Sequence, residues 1–323
     1  FNSIVNFDSV VFNETVRFTL TKFKYPVTSR KTTFNKDISF NSCTFEMISL
    51  FDNSIFLGIA DFSLSTFAGF VFFQKCTFKN VSIMHSNFRE FVFFDSSVFD
   101  SSLHDSLAFG TILNFYGSDF SRNLSFKNIS CHDSVKFEFD EAEFARIVVD
   151  WSQIQDNLTR SEGEVGLIKT YISFENSFRQ QGLFEDMNDC YYDRRQLEYK
   201  LQTDGEKIWN WIFDFVCGYS VKPLKVWQPF LFVIFLFTVI FRIMGVKLID
   251  IDYTPVKAYR RWYNKLGDAL LFSVLSFLTA GLGSWKAESE KRKLLFTFAA
   301  IEGLCGWFIL AMFIISLARV YIR

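Results

Sequence analysis

Histidine is scarce in this chain: 3 residues among 323, beside 5 Met and 4 Pro. No acids cluster with them. No nucleophile–base pair, phosphate loop or metal set can be assembled, so an enzyme is not expected. Charge of one sign is missing too. Lys and Arg total 34 against 35 Asp and Glu, a formal net charge of −1, which leaves no electrostatic footprint for nucleic acid. The 6 cysteines (Cys43, Cys76, Cys131, Cys190, Cys217 and Cys305) are scattered, with no C-x-x-C pair and no histidine partner at zinc spacing. They are expected as reduced thiols packed like small apolar groups, with no metal and no cofactor. No charged, apolar and small-residue leader opens the sequence, so the soluble part is expected in the cytoplasm.

Phenylalanine is abundant instead. It occurs 44 times in a chain that is 50% hydrophobic, a composition that excludes intrinsic disorder. Most lie between Phe1 and Phe144, and a second group runs from Phe213 onward. In the first group the spacing is regular. Phe34, Phe40, Phe45, Phe51, Phe56, Phe62, Phe67, Phe72 and Phe78 follow one another at steps of 5 or 6. The series starts at Phe7, Phe12, Phe18 and Phe23 and resumes at Phe88, Phe93, Phe99, Phe109, Phe115, Phe120 and Phe126. Neither a helix period of about 3.6 nor a strand period of about 2 gives this spacing. Two residues before these Phe sits a small or apolar residue, for example Val5, Val16, Ile38, Cys43, Ser54, Ala60, Ser65 and Cys76. On extended backbone, positions i−2 and i face the same side. Each unit thus offers one small and one large inward residue, then a polar corner of Asn, Asp, Ser and Lys that turns the chain. The pattern predicts a solenoid whose coils bury their apolar faces only against neighbouring coils. His85, His104 and His132 are expected at corners or walls.

The small-x-Phe-x-x units resemble pentapeptide-repeat proteins, over residues 1–158. The resemblance implies a right-handed, four-sided parallel β-helix. The frequent six-residue steps depart from the ideal repeat, and an irregular three-sided β-helix is the competing geometry. Residues 159–204 change to helical spacing and predict a helical connector, a hairpin broken near Gln181-Gly182. Asp186, Asp189, Asp193, Arg194 and Arg195 mark its solvated face, with metal ligation by Asp186, Asp189, Cys190 and Asp193 as the alternative. Residues 205–225, with Trp209 and Trp211 beside Lys207, suit an amphipathic helix lying in a bilayer interface.

The remainder, 226–323, reads as a membrane domain. Two nearly uncharged stretches, about 226–246 and 294–319, are long enough to span at about 20 residues each. Between them, 268–285 is apolar but short, and suits a re-entrant segment. This order, with Thr279-Ala280-Gly281-Leu282-Gly283 closing the short segment, resembles the pore helix and selectivity filter of two-transmembrane potassium channels. The resemblance implies a homotetramer in which backbone carbonyls of Thr279, Ala280, Gly281, Leu282 and Gly283 face one axis, the glycines supplying backbone conformations denied to other residues. Ala280 replaces the usual Val, Leu282 the Tyr or Phe, and Ser284 the Asp that commonly follows. Glu302, Gly303 and Gly306, inside the second span, are the candidates for a gate or hinge.

Whole sequences of this arrangement resemble prokaryotic proteins with pentapeptide repeats fused to an ion-channel domain. The implied function is a tetrameric cation channel, with potassium as the expected ion, set in the cell membrane. The competing reading is a non-conducting, membrane-anchored β-helix scaffold that binds a partner protein. An even number of spans returns the C-terminus to the side of the β-helix. Counting Lys and Arg places the intervening loops in the cytoplasm, whereas a large N-terminal domain without a leader is expected there. The second argument is taken, so the β-helix and the C-terminus are expected to be cytoplasmic.

Overall fold

The structure, a computed structural model, describes residues 1–100, 112–159, 163–245, 247–248, 262–278, 285–286 and 292–321. The chain divides into two compact units, Phe1–Leu201 and Gln202–Arg323. The first opens with a parallel β-solenoid over residues 5–148, about six turns long. Four short strands make a coil: Val5–Asn6, Val11–Phe12, Val16–Arg17 and Lys22–Phe23, after which Val27–Thr28 pairs with Val5–Asn6. Asn35 bonds to Asn13 and Cys43 to Ser65, each across 22 residues. The solenoid is therefore four-sided, and the three-sided alternative is excluded. The six-residue steps are part of the design, since alternate steps of five and six close the first coils at 22 residues, before a bulge between Phe56 and Ile59 shortens the offset to 21.

The alternation follows from two kinds of corner. Every second corner places one residue in the left-handed region: Ser9, Leu20, Lys31, Ser42, Asn53, Leu64 and Lys75, with φ between 54° and 61°. His85 continues this series at φ 51°, its ring edge-on to Tyr116, and is a corner residue as expected. Left-handed backbone costs a residue with a Cβ roughly 1–2 kcal/mol. A column of small polar side chains offsets that cost. The hydroxyls of Thr32, Ser54, Ser65, Ser86 and Ser97 donate to the carbonyls of Phe7, Ser29, Phe40, Phe62 and Phe73 one coil earlier, at 2.5 to 2.8 Å. The thiols of Cys43 and Cys76 make the same contact at 3.0 Å. Ser65 also accepts the Cys43 N–H at 2.8 Å, and Ser97 accepts that of Cys76 at 3.0 Å. The small residues two before Phe thus divide into apolar fillers, such as Ile38, Ala60 and Val71, and corner ties. Burial pushes the Cys76 thiol well above its usual range, in keeping with its being a reduced group inside the coil.

Inside, the rings stack in columns. Phe23, Phe45, Phe67 and Phe88 lie 4.8, 4.4 and 4.7 Å apart, centroid to centroid. Phe12, Phe34, Phe56 and Phe78 follow at 5.1, 5.1 and 4.7 Å. Strand spacing of about 4.8 Å sets this pitch and brings successive rings into contact. At two positions the structure corrects the series read from spacing. Phe73 and Phe94 are the buried members, in one column with Phe51 and Phe126, whereas Phe72 and Phe93 turn outward. Across the next coil the pairing offset lengthens, so that Asn87 reaches Asp119 over 32 residues. Residues 101–111, with His104 and Phe109, lie outside the described residues.

Three helices follow within the same unit: α1 (Trp151–Ile154), α2 (Glu164–Gln181) and α3 (Phe184–Leu201). The hairpin break falls at Gly182, whose φ of 72° ends α2. The hairpin expected as a connector packs on the last coil and shares its core. An open solenoid end exposes unpaired backbone and apolar side chains, and α2 covers both. Ser177 Oγ accepts the Ile147 N–H at 2.8 Å, Gln181 Nε2 donates to the Ile147 carbonyl at 2.6 Å, and Phe174 packs edge-on against Phe139 and Phe144. The acidic stripe of α3 departs from the solvated face read from sequence. Asp186 accepts the backbone N–H of Trp151 at 3.0 Å, and Asp193 accepts its indole N–H at 2.7 Å. Burial pushes the Asp186 carboxyl above the usual range, against the pull of the Trp151 bond. Cys190 is buried beneath the stripe, and Arg194 pairs with Glu175 at 2.5 Å and with Glu198.

The corner ties give a direct prediction. Ser65→Ala strands the Cys43 N–H and the Phe40 carbonyl inside the coil and is expected to lower stability by about 1–3 kcal/mol. Urea unfolding followed by Trp fluorescence reads it, and a loss below about 0.5 kcal/mol contradicts a hydrogen-bonding role for this column.

Candidate functional site

The second unit begins with α4 (Asp204–Cys217), whose start is fixed by a capping box between Thr203 and Glu206. Ile208, Trp209, Trp211 and Phe213 are exposed, while Val216 and Cys217 are buried. These exposed apolar side chains are spread around α4 rather than gathered on one face, with Trp211 stacked on Phe215 at 5.5 Å. Gly218, at φ 51°, ends α4 and turns the chain. Asp214 pairs with Lys225 at 2.8 Å across this turn, and Arg319 donates to the Tyr219 carbonyl at 3.3 Å.

Three further helices follow: α5 (Trp227–Met244), α6 (Trp262–Phe277) and α7 (Arg292–Tyr321). Two are long and apolar enough to cross a membrane. Residues Pro223–Met244 have a mean hydropathy of 2.0 and Lys293–Tyr321 of 2.1. Only 33% and 28% of their most apolar windows are buried, whereas the core helix of a water-soluble protein hides most of such a surface. Leu231, Phe232, Phe235 and Ile243 on α5, and Leu304, Trp307, Phe308 and Ile314 on α7, are left exposed. Apolar surface on this scale calls for hydrocarbon, other protein, or both.

Helix α6 packs against both long helices. At one level Phe241 of α5 meets Phe272 edge-on at 4.7 Å, with Ala269, Leu295 and Ala299 in the same cluster. At another, Phe230 meets Phe277 at 4.9 Å, beside Ile234 and Ile309. Between the two lies a polar contact. The Ser273 hydroxyl is 3.1 Å from the Ile234 carbonyl of α5 and also bonds Glu302 of α7 through Oε1. Ser273 and Glu302 are both fully buried. Just past the end of α6, Leu248 pairs with Trp285 and Lys247 with Lys286, so the chain leaving α5 and the chain leading towards α7 form a two-strand antiparallel contact.

The candidate filter residues Thr279, Ala280, Gly281, Leu282 and Gly283 lie outside the described residues, directly after Leu278. The gate or hinge candidates are described, and α7 runs as one helix through all three. Glu302 faces α6. At Gly306 an added Cβ would collide with the Phe277 carbonyl oxygen, so the missing side chain serves close approach of α7 to the end of α6. Gly303 lies one turn before Gly306, on the same helix. Among the described residues no three His, Cys, Asp or Glu side chains gather as a metal site. Sequence reasoning singled out Glu302 but not its partner. The signal was present, since Ser273 and Ser276 are hydroxyls three apart in the otherwise apolar stretch Ala269–Phe277.

Gly306→Val is expected to force α7 away from Phe277 and lower stability by about 1–3 kcal/mol. Thermal unfolding of the detergent-solubilised protein measures it, and an unchanged midpoint contradicts the close approach. No protein-family model, no curated protein and no solved structure matches this chain, so the functional reading rests on the arrangement of its own residues.

Proposed function

We propose that the chain is a subunit of a tetrameric cation channel, with potassium as the expected ion and the β-solenoid as a cytoplasmic regulatory or interaction domain. One observation carries the reading. A helix too short to span lies between two long apolar helices, packs against both, and is followed at once by Thr279-Ala280-Gly281-Leu282-Gly283. Apolar segments of this length have no reason to stop inside a membrane unless the backbone beyond them lines water or protein. In a pore, carbonyls of residues 279–283 replace the hydration shell of a permeant ion. Glycine at 281 and 283 permits the carbonyl orientations that such a stack needs. The uncovered apolar faces of α5 and α7 support the same assignment, because lipid and neighbouring subunits together supply the cover.

The scaffold reading has one observation of its own. On the outside of the solenoid Phe70 stacks on Phe91 at 5.6 Å and Phe72 on Phe93 at 4.9 Å, an aromatic patch of the kind that marks protein contacts. The two readings part on conduction. Purified protein in liposomes is expected to release a potassium gradient, and Gly281→Val to abolish that flux while the tetramer elutes unchanged. Flux that survives the substitution places the pathway elsewhere. A folded tetramer without flux favours the scaffold.

A further inference from the structure

Glu302 is costly where it stands. A carboxylate inside a membrane helix is unfavourable unless its environment repays it, and here the repayment is partial. Oε1 bonds Ser273, while Oε2 is buried and has no partner among the described residues. The surroundings are apolar, with Leu295 and Ala299 a turn or two before it on α7 and Phe272 beside Ser273 on α6. An aliphatic side chain would fill such a place without the polar penalty. Packing therefore does not account for the carboxylate.

Geometry does. Ser273 stands where the three helices meet: its hydroxyl lies against Glu302 of α7 and 3.1 Å from the Ile234 carbonyl of α5. Dispersion contacts between apolar helices are non-directional and tolerate small slides, whereas a hydrogen bond fixes direction and register. Ser273 precedes Thr279 by six residues, under two turns of helix. A shift of α6 relative to α5 and α7 would carry straight to the segment that the channel reading assigns to ion selection.

We propose that Glu302 and Ser273 form a positioning pair: their hydrogen bond sets the register of α6 between the two long helices, and through it the conduction and ion preference of the pore. This rests on the channel reading above. Gly306 belongs to the same device, since it lets α7 approach the end of α6 at Phe277.

The test uses the full-length tetramer in planar bilayers, with the variants Glu302→Leu, Ser273→Ala, their combination, and Glu302→Gln. Glu302→Leu is expected to leave the unfolding midpoint at or above that of the wild type and Ser273→Ala, which strands the buried carboxylate, to lower it, while both change the potassium-to-sodium permeability ratio or the open probability about tenfold. The double variant is expected to behave like either single one, because all three lack the same bond. Glutamine retains a hydrogen-bonding oxygen and is expected to stay close to wild type. Hydrogen exchange of α6 is measured in parallel and is expected to rise in Ser273→Ala. If the wild type conducts and the variants match it in both permeability and gating, the positioning role is overturned and the channel stands. Effects that add in the double variant also overturn the pair. If the wild type itself carries no current, the channel reading fails with the functional half of the proposal. Unchanged exchange in α6 overturns the structural half in either case.

Discussion

In the solenoid, a ring in one coil must lie over the ring of the next. Backbone pairing fixes the rise between coils at about 4.8 Å, and stacked phenyl rings accept that separation, as the 4.4 Å between Phe45 and Phe67 shows. Much else follows from it. Whatever its length, a coil must return each inward ring to the same side to keep the columns in line, as Phe67, Phe88 and Phe120 do across offsets of 21 and 32 residues, and alternating corners achieve this. The tighter corners force residues such as Ser42 and Leu64 into left-handed backbone, and a hydroxyl or thiol on the residue that follows, such as Cys43 or Ser65, ties the corner to the coil before. The end of the stack cannot be left open, and α2 closes it with Ser177 and Gln181.

The same amino acid works differently in the second unit. Helices offer no common pitch on which rings can stack, so phenylalanines interlock edge to face, as Phe241 does with Phe272 and Phe230 with Phe277. Such contacts fill space but give little orientation. The polar contact of Ser273 with Glu302 and the bare backbone of Gly306 supply what the rings do not. One residue type serves two kinds of packing, and the difference lies in the few small or polar residues set between the aromatics.

The coil was legible in sequence because its period lies in one conspicuous residue. Inward columns, polar corners and a solenoid all follow from the spacing of Phe34 to Phe67. Where two phenylalanines adjoin, as in Phe72-Phe73 and Phe93-Phe94, spacing alone cannot say which is inward. The corner ties were seen only as small residues, since Ser65 and Ala60 look alike until a carbonyl one coil away is placed beside one of them. Asp186 and Asp193 read as a solvated face because their partner, Trp151, is 35 and 42 residues upstream. The two long apolar helices were evident from composition. Glu302 announced itself as a charge in an apolar run, while the hydroxyl that receives it is an ordinary serine to the eye.

Conduction is the central claim, and reversal potentials test it most directly. Purified protein in a planar bilayer between unequal potassium chloride solutions is expected to pass current that reverses near the potassium equilibrium potential. Replacing potassium by sodium on one side is expected to move that reversal. Current reversing at the chloride potential, or no current from the folded protein, contradicts the account.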